Sequence, residues 1–199
     1  MTSKTTMTTY YGLKMQDAYT MDILLERVKL YLQYKKASND INEKLSNKKI
    51  RNENFPSDIS ENMVKFVIAM INNVMPTWDT KKGDLVIKEG EKTIQIEVKG
   101  FMSDGPSSFG PKEEWELLYF IDARDIINKK FKVYEIKLTN KSEIFRSIKL
   151  SKSETYGEIA DSGKRPRGVF ENIFQPQLGE HCKLIFDGNL LDLLDTTTI

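Results

Sequence analysis

Asp84, Glu97 and Lys99 are the residues of this chain whose types and spacing could carry chemistry. Two carboxylates and a lysine at one point are what metal-assisted hydrolysis of a phosphodiester requires. A divalent cation between the acids activates water and offsets charge on the phosphate. The lysine positions the nucleophile or stabilises the transition state. Hard cations of this kind take oxygen ligands. The plain alternative is a solvated hairpin face, since Asp, Glu and Lys are common surface residues.

The element that must position these three is a β-hairpin over GDLVIKEGEKTIQIEVKG, from Gly83 to Gly100. Gly90-Glu91 suits a two-residue type II′ turn. With those two as the loop, Glu89 pairs with Lys92, and counting outward sets Asp84 opposite Glu97. Side chains alternate faces along a strand. Leu85, Ile87, Ile94, Ile96 and Val98 form an apolar face; Asp84, Val86, Lys88, Thr93, Gln95, Glu97 and Lys99 form a mostly polar one. Directly opposed residues lie roughly 4.5–5.5 Å apart, and like charges there destabilise. The Asp84–Glu97 pair therefore calls for a compensating partner, and Lys99 shares its face.

An Asp on one strand and Glu97-Val98-Lys99 on the next resembles the PD-(D/E)xK nuclease superfamily, and within it the type II restriction endonucleases. Gly83 stands where that family's usual proline would be. SDGPSSFGPKEEW after the hairpin and KSETYGEIADSGKRPRG further on also resemble small restriction enzymes, and the likeness spans roughly residues 55–187. The resemblance implies that Asp84 and Glu97 bind Mg2+ with help from the Val98 backbone carbonyl. It implies that Lys99 orients or deprotonates the attacking water. Glu61, on the helix before the hairpin, would reach a second metal or the metal-bound water. As a plain structural residue it would be a first-turn acid favouring the helix dipole. The resemblance further implies a homodimer on a palindromic or near-palindromic duplex site, with a cognate DNA methyltransferase as the protective activity. Two-fold symmetry of the protein would mirror that of the site.

Composition sets the frame. The 199 residues are 39% hydrophobic and 30% charged, a globular balance. They are expected to form a single domain over 1–199, with a helical segment at about 15–50 and a catalytic core at about 55–187. No apolar run reaches the roughly 18 residues of a membrane span. The stretch MTSKTTMTTYYGLK lacks an apolar signal core. A lone cysteine, Cys182, excludes an intrachain disulfide framework and fits a reducing cytoplasm. Net charge is only +1, but it is unevenly spread. Residues 145–168 hold six bases against three acids, whereas 171–199 hold one base against five acids. That pattern is compatible with a localised DNA footprint and equally with plain surface patchiness.

Along the chain, residues 1–14 read as a Thr-rich arm. Met21, Leu24, Leu25, Val28, Tyr31 and Leu32 recur at helical steps within Gln16–Lys36. A second short helix over 38–49 is expected, capped by Ser38. Ser60 is the expected cap of a helix over Glu61–Val74, with Val64, Val67, Ile68 and Ile71 on one face. Trp78 is expected near the hairpin. Strands are expected within Glu114–Ala123, Lys132–Leu138 and Lys183–Phe186, and short helices over 141–148 and Leu190–Leu194.

Two stretches could meet DNA. Gly100–Pro111 holds three Gly and two Pro and is expected to be irregular; its backbone N–H groups and the Ser107 and Ser108 hydroxyls suit phosphate. In 149–168, Arg165 and Arg167 flank Pro166, which fixes the local backbone. Arginine binds guanine bidentately, so these two are candidates for base or phosphate contacts, and Lys164 stands with them. Lys149 and Lys152 are candidates for phosphates. His181 and Cys182 are adjacent and read as structural.

The fold class expected is α/β: a mixed β-sheet flanked by helices around the catalytic hairpin, a restriction-endonuclease-like core. The function expected is Mg2+-dependent, sequence-specific cleavage of double-stranded DNA. Alternatives are a junction resolvase or repair nuclease of the same superfamily, a catalytically silent DNA-binding module on the same fold, and a structural protein with incidental hairpin charges.

Overall fold

A computed structural model of the chain describes residues 9–10, 13–14, 20–45, 54–78 and 84–195. Its centre is a six-stranded mixed sheet with strand order β10-β8-β7-β5-β4-β3. The strands are β3 (Thr77–Trp78), β4 (Leu85–Glu89), β5 (Lys92–Phe101), β7 (Leu117–Asp122), β8 (Lys130–Ile136) and β10 (Cys182–Asn189). Neighbours are antiparallel throughout, except for β5 and β7, which run parallel. Two further pairs of two-residue strands stand apart: β1 (Thr9–Tyr10) with β2 (Leu13–Lys14), and β6 (Ser107–Ser108) with β9 (Arg167–Gly168). The rest of the expected arm at 1–14 lies outside the described residues.

The β4–β5 hairpin has the register set by its turn: Leu85 faces Ile96, Ile87 faces Ile94, and Glu89 faces Lys92. Gly90 has φ +62° while Glu91 stays on the negative side, the signature of a II′ turn. Asp84 lies one residue outside the paired strand, its N–H donating to the Ile96 carbonyl at 3.2 Å. Trp78 faces Leu85 at the next strand, as expected of a residue beside the hairpin.

Apolar side chains fill both faces of the sheet. On one, Leu85, Ile87, Ile96, Val98, Tyr119, Ile121 and Val133 pack against α1 (Met21–Lys44) and α2 (Ser57–Asn72). On the other, Leu118, Phe120 and Ile136 pack under an aromatic cluster around Phe109, Trp115, Phe145, Tyr156 and Phe174. The short helices α3 (Glu143–Arg146), α4 (Tyr156–Asp161) and α5 (Gln175–Leu178) help build this second layer, while α6 (Asp192–Asp195) closes the first. Among the described residues no helix is long and apolar enough to cross a membrane.

Several expected boundaries move, for reasons visible in the packing. α1 is one helix, not two. Thr20 caps it, accepting the Ile23 N–H at 3.3 Å, and it runs on to Lys44. Ser38 lies inside it, on the same buried seam as Met21, Leu24, Val28 and Tyr31, so it cannot be a cap. Residues 46–49 of the expected second helix lie outside the described residues. α2 starts at Ser57 behind Pro56, so Ser60 is a buried interior residue whose hydroxyl donates to the Ser57 carbonyl at 3.0 Å. Gly100–Pro111 is less irregular than expected: β5 continues through Phe101, and Ser107–Ser108 forms β6. Within 149–168, expected as a basic loop, Thr155 and Glu158 form a capping box that starts α4.

Candidate active site

The hairpin brings Asp84, Glu97 and Lys99 together at the edge of the aromatic layer. The Asp84 carboxylate Oδ2 accepts the Val98 backbone N–H at 2.7 Å, which holds the acid across the mouth of the hairpin. Lys99 Nζ donates to Glu97 Oε1 in a short contact. Both side chains are largely enclosed, with Glu97 only 5% and Lys99 17% exposed. The Phe109 ring lies 5.2 Å from the Lys99 ammonium and supports it from one side.

Glu61 joins this group from α2. Gly100 makes that approach possible: a Cβ there would lie 2.8 Å from both Phe55 Cδ1 and Ser60 Cβ, so only glycine lets the first turn of α2 sit this close to β5. The helix then carries Glu61 to where it feels the charges of Asp84 and Glu97.

The electrostatics are those of acids crowded out of water. Burial, then the neighbouring charges of Asp84, Asp58 and Glu97, pushes the Glu61 carboxyl up to about 8, against a Ser57 hydrogen bond that lowers it. Burial pushes Glu97 up to about 7; Lys99 pulls it down, and Asp84 and Glu113 add to the rise. Asp84 is raised as well, by burial and by Glu113, even though the Val98 N–H and Lys99 favour its charged form. For Lys99, burial disfavours the charge, but Glu97, Glu113 and Asp84 together outweigh it and keep the ammonium above its ordinary value.

Glu113 is the member of this cluster that the sequence did not disclose. Its Oε2 stands 3.5 Å from Lys99 Nζ. That oxygen is buried and accepts no hydrogen bond among the described residues. Its carboxyl end packs on Gly110, where a Cβ would lie 2.6 Å from Oε1. In the sequence, Lys112-Glu113-Glu114 looks like a run of solvated charge, and only the Gly110-Pro111 turn before it hints that the chain doubles back here.

Asp84, Glu97, Glu61 and Glu113 set four carboxyl groups against one lysine, and carboxyl oxygens are the donors that a hard divalent cation takes. The set is not assembled as a cage: among the described residues no group of three or more His, Cys, Asp or Glu side chains is arranged to hold a metal ion. The Val98 N–H and Lys99 each engage one oxygen of a carboxylate, Asp84 Oδ2 and Glu97 Oε1.

The candidate DNA-contacting residues divide into groups. β6 and β9 put Ser107 and Ser108 beside Gly168 and Arg167, and the Phe109 N–H donates to the Pro166 carbonyl at 3.0 Å. Lys164, Arg165 and Arg167 point outward while Pro166 and Gly168 are buried. Gly168 seats this ribbon on the core, since a Cβ there would lie 2.7 Å from the Phe174 ring. The Ser108 hydroxyl is buried with no hydrogen-bond partner among the described residues. Lys149 and Lys152 are exposed on the segment before α4. Arg124 braces the same region: its guanidinium pairs with Asp122, with Glu171 and, at 3.3 Å, with Asp104 of the loop after β5. Gly83, at the position of the usual proline, lies outside the described residues.

His181 and Cys182 are partly buried at the start of β10; burial pushes the Cys182 thiol up to about 11, which makes it a poor nucleophile. A family model described as Bsp6I restriction endonuclease matches residues 23–175. The chain matches no curated protein and no solved structure in the corresponding searches.

Proposed function

Because the chain belongs to the Bsp6I restriction endonuclease family, and so to the type II restriction endonucleases, we propose that Asp84, Glu97 and Lys99 form a PD-(D/E)xK cleavage centre for duplex DNA. The observation that carries this is the hairpin register, which sets Asp84 on the Val98 N–H beside Glu97 and Lys99. In this reading Asp84, Glu97 and the Val98 carbonyl hold Mg2+, which supplies an acidified water and charge neutralisation at the phosphate.

The protein's own groups then have distinct tasks. Lys99 stays charged and directs its ammonium at the attacking oxygen or the phosphate. Glu61, whose proton is held to about 8, is mostly protonated near neutral pH and donates that proton, or loses it on joining a second cation. The Phe109 and Trp115 rings wall the lysine's side of the site against water. Arg165, Arg167 and Lys164 at the β6–β9 ribbon, with Ser107, meet DNA bases or phosphates, and Lys149 and Lys152 meet phosphates; the buried Ser108 hydroxyl would have to turn outward to join them.

The chain acts as a homodimer in the cytoplasm beside a protective methyltransferase. The outward face of α1, with exposed Ile23, Leu30, Tyr34 and Ile41, is apolar surface consistent with a second copy.

Plasmid DNA with Mg2+ tests the reading. Wild type should give discrete fragments whose mapped ends reveal the recognition sequence. Asp84→Ala and Lys99→Ala should each lose at least about 100-fold in rate. Full cleavage by Asp84→Ala would sink the assignment. DNA binding with no cleavage by wild type would favour the silent module, and branched DNA cut in preference to a duplex site would favour a resolvase.

A further inference from the structure

Lys99 sits between two carboxylates that are engaged to different degrees. Glu97 Oε1 accepts a hydrogen bond from its ammonium. Glu113 Oε2 lies 3.5 Å away, buried, with no hydrogen bond of its own among the described residues. A buried acceptor left unmade is costly, and an ammonium has three donors to offer. The lysine is fixed by the Phe109 ring rather than by a rigid fork, so its tip can shift by under about 1 Å and shorten the Glu113 contact to ordinary charge-assisted length.

We propose that Glu113 is a positioning residue: it receives the Lys99 ammonium when Glu97 turns to a divalent cation. This rests on the reading of Asp84 and Glu97 as the metal ligands. A cation taken up by Glu97 repels the ammonium held on the same carboxylate, and a lysine 17% exposed cannot be left without a partner. Glu113 Oε2 lies within one short movement of that lysine, at 3.5 Å. The shape of its carboxyl end is fixed by Gly110, which any Cβ would push aside. Its loop is held by β7 on one side and by the Asn140 amide, which donates to the Glu113 carbonyl at 2.6 Å. The acceptor is therefore prepositioned. Glu113 touches neither the cation nor the phosphate in this scheme.

Calcium titrations of the full-length protein by calorimetry, without DNA, separate the roles. Glu113→Gln keeps the shape that packs on Gly110 but removes the charge that would hold the lysine. In the wild-type background it should weaken Ca2+ binding about tenfold, the size of a modest coupling. In a Lys99→Met background the same substitution should change binding less than about threefold, because no ammonium has to be rehoused. Lys99→Met alone should tighten Ca2+ binding. An equal loss in both backgrounds would make Glu113 a direct ligand and overturn the proposal, as would no loss in either. Absence of Ca2+ binding by wild type, or binding unaffected by Asp84→Asn, would overturn the metal-site reading itself, a distinct result from either outcome at Glu113.

Discussion

Asp84 Oδ2 accepts the backbone N–H of Val98 at 2.7 Å across the open end of the hairpin. The contact ties Asp84, just before β4, to β5, yet it places a carboxylate among other acids in a site that burial makes hostile to charge. The two effects separate on substitution. Asp84→Asn keeps an acceptor for Val98 and discards the charge. It should raise stability in urea by about 1 kcal/mol at pH 8 without Mg2+, while abolishing metal-dependent cleavage. Asp84→Ala loses the acceptor too and should be the less stable of the pair. Equal midpoints for the two variants would mean that the Val98 contact contributes nothing.

The acids also set a pH dependence. Glu61 and Glu97 hold their protons to about 8 and about 7 in the folded chain, against an ordinary 4.5 for each. Between those limits the folded state binds more protons than the unfolded state. Stability without divalent cations should therefore be full below about pH 4.5 as far as these groups are concerned, and fall as pH rises to about 8. Glu61→Gln should flatten the upper part of that fall, and Mg2+ should offset part of it. Thermal melts at several pH values, with and without Mg2+, measure both. A flat profile for wild type would show that these carboxyls are not strained.

Gly100→Ala tests how α2 reaches the site. The new methyl would meet the Phe55 ring and the Ser60 Cβ at 2.8 Å. Overpacking of this kind costs about 1–3 kcal/mol. It should also shift Glu61, so cleavage should fall more than stability alone explains. Gly105→Ala, where the nearest atom would be the Ser103 hydroxyl at 3.4 Å, is the matched control and should be near neutral.

The ribbon arginines should show their roles in salt dependence. Arg165→Ala and Arg167→Ala should each weaken binding of duplex DNA, measured by anisotropy with Ca2+ in place of Mg2+. An arginine on phosphate lowers the slope of log affinity against log salt by about 0.9; one that reads a base relaxes the sequence preference instead. No loss in either variant would remove the ribbon from the DNA interface.

How legible this was in the sequence varies with what fixes each feature. The hairpin register follows from a local turn and a two-residue alternation, so Leu85–Ile96 and Ile87–Ile94 could be paired by counting. Helix ends are set by tertiary docking. α2 starts at Ser57 because its first turn rests on Gly100, and Ser60, a good cap by type, is consumed inside it. Polar Ser38-Asn39-Asp40 reads as a break, yet α1 passes through because Ser38 continues the buried seam. The α4 capping box was written as Thr155-x-x-Glu158, obscured by the bases around it. Glu113 and the β6–β9 pairing depend on contacts between distant segments, which no local pattern carries.

The one parallel pairing among the described strands, β5 with β7, bears on the order of assembly. The hairpin closes locally, on the microsecond scale typical of such turns. Parallel neighbours cannot be joined by a turn, so the chain must cross from Phe101 back to Leu117 before β7 can dock, and such non-local closure is slow. Asp84, Glu97 and Lys99 can thus meet in a nascent hairpin, while Phe109 and Glu113 arrive only with the crossover that carries them. Assembly of the acidic cluster around Lys99 is then gated by topology. Substitutions in the β4–β5 turn should slow folding, whereas those in 102–116 should chiefly speed unfolding, a division that stopped-flow kinetics would reveal.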